Sequence, residues 1–243
     1  MTSTAPETWR PRLGQAIGRV LFHAAYRPYA VDAHLVPRSG AVIFVANHTG
    51  LIDGPLAFTL APRPASFLVK EETFRGFVGT VLHLVGQIPI QRDTGDRAAL
   101  ATAIAVLKAG GAVGVFPEGT RGRGDVAAVH QGASWLALQT SSPIVPVALL
   151  GVRREGQGVS ELPRVWSKVV AVFGAPVMLD ADPAIPRRER VRGATEQLRQ
   201  VLAAHVAASE ERFRMPLATD DPRAPRCPRR RAQLEAEKAV GES

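Results

Sequence analysis

The stretch Ala41-Val-Ile-Phe-Val-Ala46 is apolar at every position, and Asn47-His48-Thr-Gly-Leu-Ile-Asp53 follows it directly. A strand that is buried on both faces carries apolar side chains almost throughout, so the first stretch predicts a strand inside a parallel sheet. The polar residues that follow would then lie at the carboxyl end of that strand. Ligands of open α/β sheets bind at this edge. The two stretches therefore predict both a fold class and the place of a functional site.

Strand-like and helix-like runs alternate over residues 41–174. This alternation predicts an α/β fold, with a single domain built on a central mixed, largely parallel sheet that is flanked by helices. The further predicted strands are Ser66–Val69, Gln87–Gln91, Ala112–Phe116, Ile144–Leu149 and Val169–Phe173. The predicted helices are Gly54–Leu60, Phe74–Leu84, Gly95–Lys108, Gln131–Gln139 and, last, about Arg187–Phe213.

The two ends of the chain differ in composition from this region, which sets the predicted domain at residues 36–213. Residues 1–35 contain a predicted N-terminal amphipathic helix from Trp9 to about Tyr29, with apolar residues at helical spacing and arginines between them. Such a helix either packs on the domain or lies on an anionic membrane surface, and both interpretations stay open. Residues 214–243 are rich in proline and arginine, which predicts a disordered tail because proline removes helix hydrogen bonds.

Composition excludes several classes of protein. The chain has 243 residues, a formal charge of +8 and 46% hydrophobic residues, which is enough to bury a core and excludes a wholly disordered or fibrous protein. No apolar run reaches the roughly 18–20 residues of a spanning helix, and the first residues do not resemble a secretory signal. The single cysteine, Cys227, excludes a disulfide framework or a cysteine metal cluster and fits a reducing cytoplasm.

The first candidate for chemistry is the pair His48 and Asp53, which are five positions apart. A tight turn between strand and helix can bring the carboxylate onto the imidazole. Asp53 would then hold one ring nitrogen, and the other nitrogen would take a proton from an alcohol or thiol. This segment contains no obvious protein nucleophile, so the predicted chemistry is base-assisted direct attack.

Cationic residues follow three more predicted strands. Lys70 follows one strand, Arg92 follows the next, and Phe116-Pro-Glu-Gly-Thr-Arg121 closes a third. A single cation in a loop is commonly only solvated, but strand ends converge in space, and a guanidinium suits a phosphate. A base beside several cations therefore predicts a site for an alcohol that carries a phosphate group.

These motifs resemble the glycerolipid acyltransferase family, which is typified by 1-acylglycerol-3-phosphate (lysophosphatidic acid) acyltransferases. The resemblance covers about residues 36–175 and keeps the order of the family's motifs. The segments that carry it are Asn47–Asp53, the stretch from Lys70 to Arg92 with Gly86-Gln-Ile-Pro-Ile-Gln-Arg92, Phe116–Arg121 and Pro143-Ile-Val-Pro-Val147.

The resemblance implies a role for each matched residue. His48 would be the general base that deprotonates the sn-2 hydroxyl of a lysophospholipid, and Asp53 would orient it. The alkoxide would attack the thioester of acyl-CoA or acyl-carrier protein, with no metal or other cofactor. The residues implied for acceptor binding are Lys70, Arg92, Glu118, Gly119, Thr120 and Arg121, and those implied for the acyl-donor side are Pro143, Val145 and Pro146.

Two departures affect the acceptor more than the chemistry. Gly50 stands where the family commonly has serine, and Phe74-Arg-Gly-Phe-Val-Gly79 lacks a proline that the family often has. Another lysolipid, a lyso-aminolipid or a glycolipid therefore remains an alternative acceptor. The expected location is peripheral, on an anionic phospholipid membrane at its cytoplasmic face. A basic polyanion-binding module is the remote alternative, but the arginine run has no aromatic residues interleaved, so no nucleic acid is expected.

Overall fold

The protein is described by a computed structural model that covers residues 9–91, 96–180 and 182–220. The six helices in these ranges are α1 (Trp9–Ala25), α2 (Asp53–Leu60), α3 (Gly76–Leu84), α4 (Arg97–Lys108), α5 (Gly132–Thr140) and α6 (Arg187–Phe213). The seven strands are β1 (Arg27–Val31), β2 (Val42–Ala46), β3 (Ala65–Lys70), β4 (Ile88–Ile90), β5 (Ala112–Val115), β6 (Ile144–Leu150) and β7 (Lys168–Phe173). Short 3-10 turns lie at Ala33–Leu35 and Glu71–Thr73.

All seven strands form one sheet in the order β1-β7-β6-β2-β5-β3-β4. Neighbouring strands are parallel except β6 and β7, which are antiparallel. The carboxyl ends of β2 to β6 therefore meet at one edge of the sheet, called the carboxyl edge below. This architecture confirms the predicted single α/β domain with a mixed, largely parallel sheet.

The central strand β2 explains why its sequence is apolar throughout. Val42, Phe44 and Ala46 pack into a core shared with α1 and α2, whereas Ile43 and Val45 pack into a core shared with α4, α5 and α6. Alternate side chains of a strand point to opposite faces, so a strand covered by helices on both faces needs apolar residues at every position.

The prediction was wrong at the end of the first helix. The helix ends at Ala25 rather than near Tyr29, and residues 27–31 form the edge strand β1, paired with β7 from Arg27↔Lys168 to Val31↔Val172. An edge strand with several exposed residues lacks the apolar run that marks a buried strand. The sheet therefore begins nine residues before residue 36, where the domain was predicted to start.

The amphipathic helix α1 packs on the domain through its small and polar side. Gly18 lies against α2 so closely that a Cβ there would be 2.5 Å from Thr59 Oγ1, and a Cβ at Gly14 would be 2.5 Å from Cγ1 of Val85, which follows α3. Gln15 is buried, and its amide donates to the carbonyl of Phe58 at 2.8 Å. Phe22, near the end of the helix, is also buried in the core, whereas five large apolar side chains of α1 are more than half exposed; these are Trp9, Leu13, Ile17, Val20 and Leu21.

Candidate active site at the carboxyl edge

His48 and Asp53 form a direct, buried pair directly after β2. The ring Nδ1 of His48 lies 2.9 Å from Oδ2 of Asp53, and Asp53 is fully buried. An ionised carboxylate can only accept hydrogen bonds, so Nδ1 carries the proton and donates it to Asp53. Within the described part of the chain, the other ring nitrogen, Nε2, makes no hydrogen bond. The pair therefore presents an unshared lone pair on a fixed imidazole, which is the arrangement of a general base.

Backbone N–H groups of the turn between β2 and α2 hold the side chain of Asp53 in place. Asp53 is the first residue of α2, and its Oδ2 also accepts the backbone N–H groups of Thr49 at 2.5 Å and Gly50 at 2.7 Å. A Cβ at Gly50 would lie 2.8 Å from Cγ1 of Val152, which explains why this turn carries glycine. The carboxylate thus closes the turn as well as orienting the imidazole.

Asn47 ties the same turn to the neighbouring strand β6. Its side-chain oxygen accepts the N–H of Leu149 at 2.7 Å, and its side-chain nitrogen donates to the carbonyl of Leu149 at 3.2 Å. The amide of Asn47 therefore continues the β2–β6 ladder by one further residue. This fully buried side chain holds the residue before His48 in place.

The segment after β5 covers the imidazole. The ring of Phe116 stacks on that of His48, with 4.3 Å between centroids and 25° between planes. Oε1 of Glu118 accepts the backbone N–H of His48 at 2.8 Å, and the N–H of Gly122 donates to the carbonyl of His48 at 2.9 Å. Both backbone groups of the histidine are thus held by the Phe116–Arg121 motif and the residue that follows it.

Glu118 is an unusual carboxyl group. Its pKa is raised from 4.5 to about 7, mainly by burial and in addition by the charges of Asp125 and Asp53, while the hydrogen bonds from the backbone of His48 and Val126 oppose this rise. The side chain was predicted to bind the acceptor. The structure directs its Oε1 to the backbone N–H of His48, and its role in acceptor binding stays a prediction.

The rest of the motif forms a turn beside Glu118. Gly119 has a φ of +73°, and a Cβ there would lie 2.5 Å from Cδ2 of His130, so both conformation and space require glycine. Thr120 is exposed, and Arg121 is half-buried. Arg121 directly precedes Gly122, whose N–H donates to the backbone carbonyl of His48, so the end of the motif lies beside the backbone of the histidine.

The other predicted cations differ in position. Lys70 ends β3 at the carboxyl edge, three residues beyond the pair Phe67↔Gly114, and its Nζ lies 3.0 Å from Glu72. Arg92 lies outside the described residues. The structure therefore brings His48, Asp53 and the Phe116–Arg121 motif together, and it places Lys70 at the same edge of the sheet.

The residues predicted for the acyl-donor side belong to β6 and its approach. Pro143 precedes the amino end of the strand, at the edge opposite His48, and Val145 is fully buried in the core. Pro146 is also buried; its carbonyl accepts the N–H of Gly174 at 2.8 Å, where the β6–β7 ladder stops. The structure does not place these three side chains beside the imidazole, and their role stays a prediction.

Two side chains of the site were assigned no role from the sequence. One is the amide of Asn47, and the other is the aromatic ring of Phe116. An asparagine directly after a fully apolar strand is a signal for the first, because its amide can extend a ladder. No comparable signal exists for the second, since stacking on His48 depends on how β2 and β5 pair.

Comparison with known proteins agrees with this geometry. The model of the Acyltransferase family matches residues 29–150, which is half of the chain. The chain belongs to the Acyltransferase family. It is therefore an acyltransferase, as its motifs predicted.

Similar curated proteins share one name, 1-acyl-sn-glycerol-3-phosphate acyltransferase. The protein of Bacillus subtilis is 28% identical over 169 residues, which cover 68% of this chain and 81% of that relative. The protein of Borreliella burgdorferi is 38% identical over 134 residues, covering 53% of each chain. The human alpha protein is 34% identical over 139 residues, covering 54% of this chain and 49% of the relative. The aligned part of this acyltransferase thus spans about half the length of the last two.

A solved structure supports the fold. The crystal structure of the 1-acyl-sn-glycerophosphate (LPA) acyltransferase PlsC from Thermotoga maritima matches with a TM-score of 0.62 and 23% identity, over 82% of this chain and 79% of that one. Across residues 9–91, 96–180 and 182–220, no helix has both the length and the apolar character needed to cross a bilayer.

Proposed function

We propose that this acyltransferase moves a fatty acyl group from acyl-CoA or acyl-carrier protein to the sn-2 hydroxyl of lysophosphatidic acid, giving phosphatidic acid. The observation that carries the proposal is the buried His48–Asp53 pair, with Nδ1 donating to the carboxylate and Nε2 left to accept a proton. The shared name of the curated relatives supports the choice of acceptor.

The bonds and protons of the proposed reaction balance with His48, Asp53 and the two substrates alone. Nε2 of His48 takes the proton of the acceptor hydroxyl while that oxygen attacks the thioester carbonyl. A C–O bond forms, the C–S bond breaks, and the leaving thiolate takes the proton back from the imidazolium. The carboxylate of Asp53 stabilises the imidazolium that exists between these two transfers. No metal or redox step is needed for this balance.

Glu118 serves this reaction as a positioning residue. Its Oε1 fixes the backbone N–H of His48, while Phe116 and Asp53 fix the ring by stacking and by hydrogen bonding. A base that is held in one orientation loses little entropy when the acceptor arrives, and small displacements of such a group are costly.

The acceptor phosphate is assigned to the cations of the carboxyl edge. Arg121 directly precedes Gly122, whose N–H donates to the backbone carbonyl of His48, and Lys70 ends β3, the strand next to β5. A guanidinium binds phosphate oxygens in bidentate fashion, so Arg121 is the main candidate for phosphate recognition. Arg92 stays a predicted further cation.

The partner surface proposed for the enzyme is an anionic phospholipid membrane, bound peripherally at its cytoplasmic face. The outward side of α1 is apolar, as described above, and α3 exposes Phe77 (84% exposed), Val78, Val81 and Leu84. Exposed apolar patches of this kind mark surfaces that bind lipid or protein. Basic residues beside the α1 face favour lipid, because anionic headgroups attract arginine and lysine.

The experiment that tests the function is a product analysis. The purified enzyme receives acyl-CoA together with an equimolar mixture of lysophosphatidic acid, lysophosphatidylcholine and lysophosphatidylglycerol, and the acylated lipids are identified by mass spectrometry. Phosphatidic acid should be the main product. If another lysolipid is acylated preferentially, the acceptor assignment is wrong while the acyltransferase chemistry stands. Addition of an acyl-carrier-protein thioester to a second sample then identifies the preferred donor.

A further inference from the structure

A basic cavity lies at the edge of the sheet opposite the catalytic pair. Its volume is about 690 Å3, and its walls come from α1, from the segment between β1 and β2, and from the segment between α2 and β3. Four arginines and a histidine contribute to the lining: Arg12, Arg19, Arg38, Arg63 and His34. The described residues that line it include no acidic side chain. The cavity therefore concentrates positive charge that no carboxylate in its wall neutralises.

Arg63 places one of these charges permanently in the wall. Its guanidinium donates to the carbonyls of Gly40 at 2.8 Å, Gly110 at 2.7 Å and Pro37 at 3.2 Å. These partners are neutral, so they fix the group without cancelling its charge. Partial burial lowers the pKa of Arg63 from its usual range, because the cation has lost part of its hydration. An anion in the cavity would offset this loss.

The remaining arginines are available to a ligand. Arg12 and Arg38 are exposed, and within the described residues neither makes an ion pair or a side-chain hydrogen bond. Arg19 donates only its Nε, to the carbonyl of Thr59 at 3.2 Å. The carboxylate of Asp32, which precedes the Ala33–Leu35 turn, is paired with an arginine of α6, and that pairing lowers the pKa of Asp32.

The helix that forms one wall also carries the outward apolar face. Arg12 and Arg19 line the cavity, while Leu13, Ile17 and Val20 of the same helix point to solvent. A ligand with a phosphate group and hydrocarbon chains matches this combination, because the phosphate suits the guanidinium groups and the chains suit the apolar face. A free phosphate would bind only the guanidinium groups and would leave the apolar face without a partner.

We infer that this cavity binds the phosphate group of an anionic phospholipid, at a site separate from the carboxyl edge where acyl transfer takes place. The site holds a membrane lipid that is neither acceptor nor product, and it fixes the orientation of α1 on the bilayer. The inference rests on the membrane partner proposed above and not on the identity of the acyl acceptor.

The test measures binding of the full chain to vesicles without any acyl donor. The vesicles are phosphatidylcholine alone or an equimolar mixture of phosphatidylcholine and phosphatidylglycerol, which is a diester and differs from the proposed substrate and product. The double substitution Arg12→Ala with Arg38→Ala should weaken binding to the mixed vesicles by about 30-fold, since each arginine at an anionic surface contributes roughly a factor of five. Binding to phosphatidylcholine alone should change little.

A matched control separates the cavity from general charge. Arg187→Ala with Arg188→Ala removes the same charge from exposed positions at the start of α6, on the other face of the sheet. This variant should lose less than about threefold, because the charges lie beyond a screening length from the membrane surface. Equal losses in both variants, or no loss in either, would overturn the inference.

Three further measurements distinguish the possible causes of a change in binding. Unfolding midpoints of all variants should match the wild type, because the substituted side chains are exposed; Arg12→Lys with Arg38→Lys, which keeps the charge, should restore part of the binding. Soluble glycerol 1-phosphate should not release the protein from mixed vesicles at millimolar concentration. Complete release would assign the cavity to a free phosphate compound and overturn the lipid assignment. A failed acyl-transfer assay would leave all these results unchanged, since none of them requires turnover.

Discussion

Replacement of Glu118 by glutamine should stabilise the protein in a pH-dependent way. In the folded chain, burial raises the pKa of Glu118 to about 7, against a usual value of 4.5. Between these two values the folded state binds a proton that the unfolded state releases. The contribution of Glu118 to the free energy of unfolding of the wild type therefore falls as the pH rises from about 4.5 to above 7. The change from 4.5 to about 7 corresponds to about 3 kcal/mol.

Glutamine keeps the oxygen that accepts the His48 N–H but has no proton to lose. The free energy of unfolding of Glu118→Gln, relative to wild type, should therefore increase by about 3 kcal/mol between pH 4.5 and pH 8. Urea unfolding at a series of pH values measures this difference. The exposed Glu211→Gln, near the end of α6, corrects for the loss of one carboxylate from the total charge. A difference that stays constant with pH, or that falls as the pH rises, would refute the argument that burial governs this carboxyl.

Three other substitutions test the parts of the site separately. Asp53→Asn should lower turnover by about 10²–10⁴-fold, because a neutral amide cannot stabilise the imidazolium; steady-state kinetics measures this, and an unchanged rate would remove Asp53 from the mechanism. Asn47→Ala should cost about 2–4 kcal/mol of unfolding free energy, since it leaves both backbone groups of Leu149 unpaired; a loss well below that in urea unfolding would show that water replaces the amide. Gly124→Ala should cost about 1–3 kcal/mol and reduce turnover, because φ is +74° and the new Cβ would lie 2.3 Å from Cγ2 of Thr49; a stability equal to wild type would contradict this crowding.

The fold was predictable where a strand is buried on both faces. The apolar run at residues 42–46 marks β2 because helices cover both faces of that strand, and the same holds for β6 and β7. The edge strand β1 was not predictable from this signal. Only Pro28 of its five residues is buried, so neither an apolar run nor a clear alternation identifies it.

The contact between His48 and Asp53 was predictable, and the direction of the Glu118 side chain was not. His48 and Asp53 are five positions apart, which suffices for one turn, and the pairing follows from local geometry. The direction of the Glu118 side chain depends on β5 lying beside β2, with Val45 opposite Val115, and that register is a property of the folded sheet. From the sequence alone, a carboxyl group that hydrogen-bonds to the backbone cannot be distinguished from one that binds a ligand.

The proline motif in β6 shows how packing can account for residues that a resemblance assigns to a substrate. The backbone of Pro146 faces β7, where its carbonyl accepts the N–H of Gly174 and where the ladder ends one residue away. A proline is tolerated in a strand at a position where no N–H is needed. The fold thus explains the place of Pro146 in the sheet. A test of donor specificity would show whether the residue also contributes to binding of the acyl donor.

The most direct test of the mechanism is the turnover of His48→Ala with lysophosphatidic acid and acyl-CoA. The assay measures the rate at which CoA is released. The matched control is His83→Ala, an exposed histidine near the end of α3 whose ring packs against Phe74. Removal of the base should lower kcat by about 10²–10⁴-fold while the unfolding midpoint stays close to that of the wild type, and the control should keep the wild-type rate. A folded His48→Ala variant that turns over at a rate near that of His83→Ala would contradict the assignment of His48 as the general base.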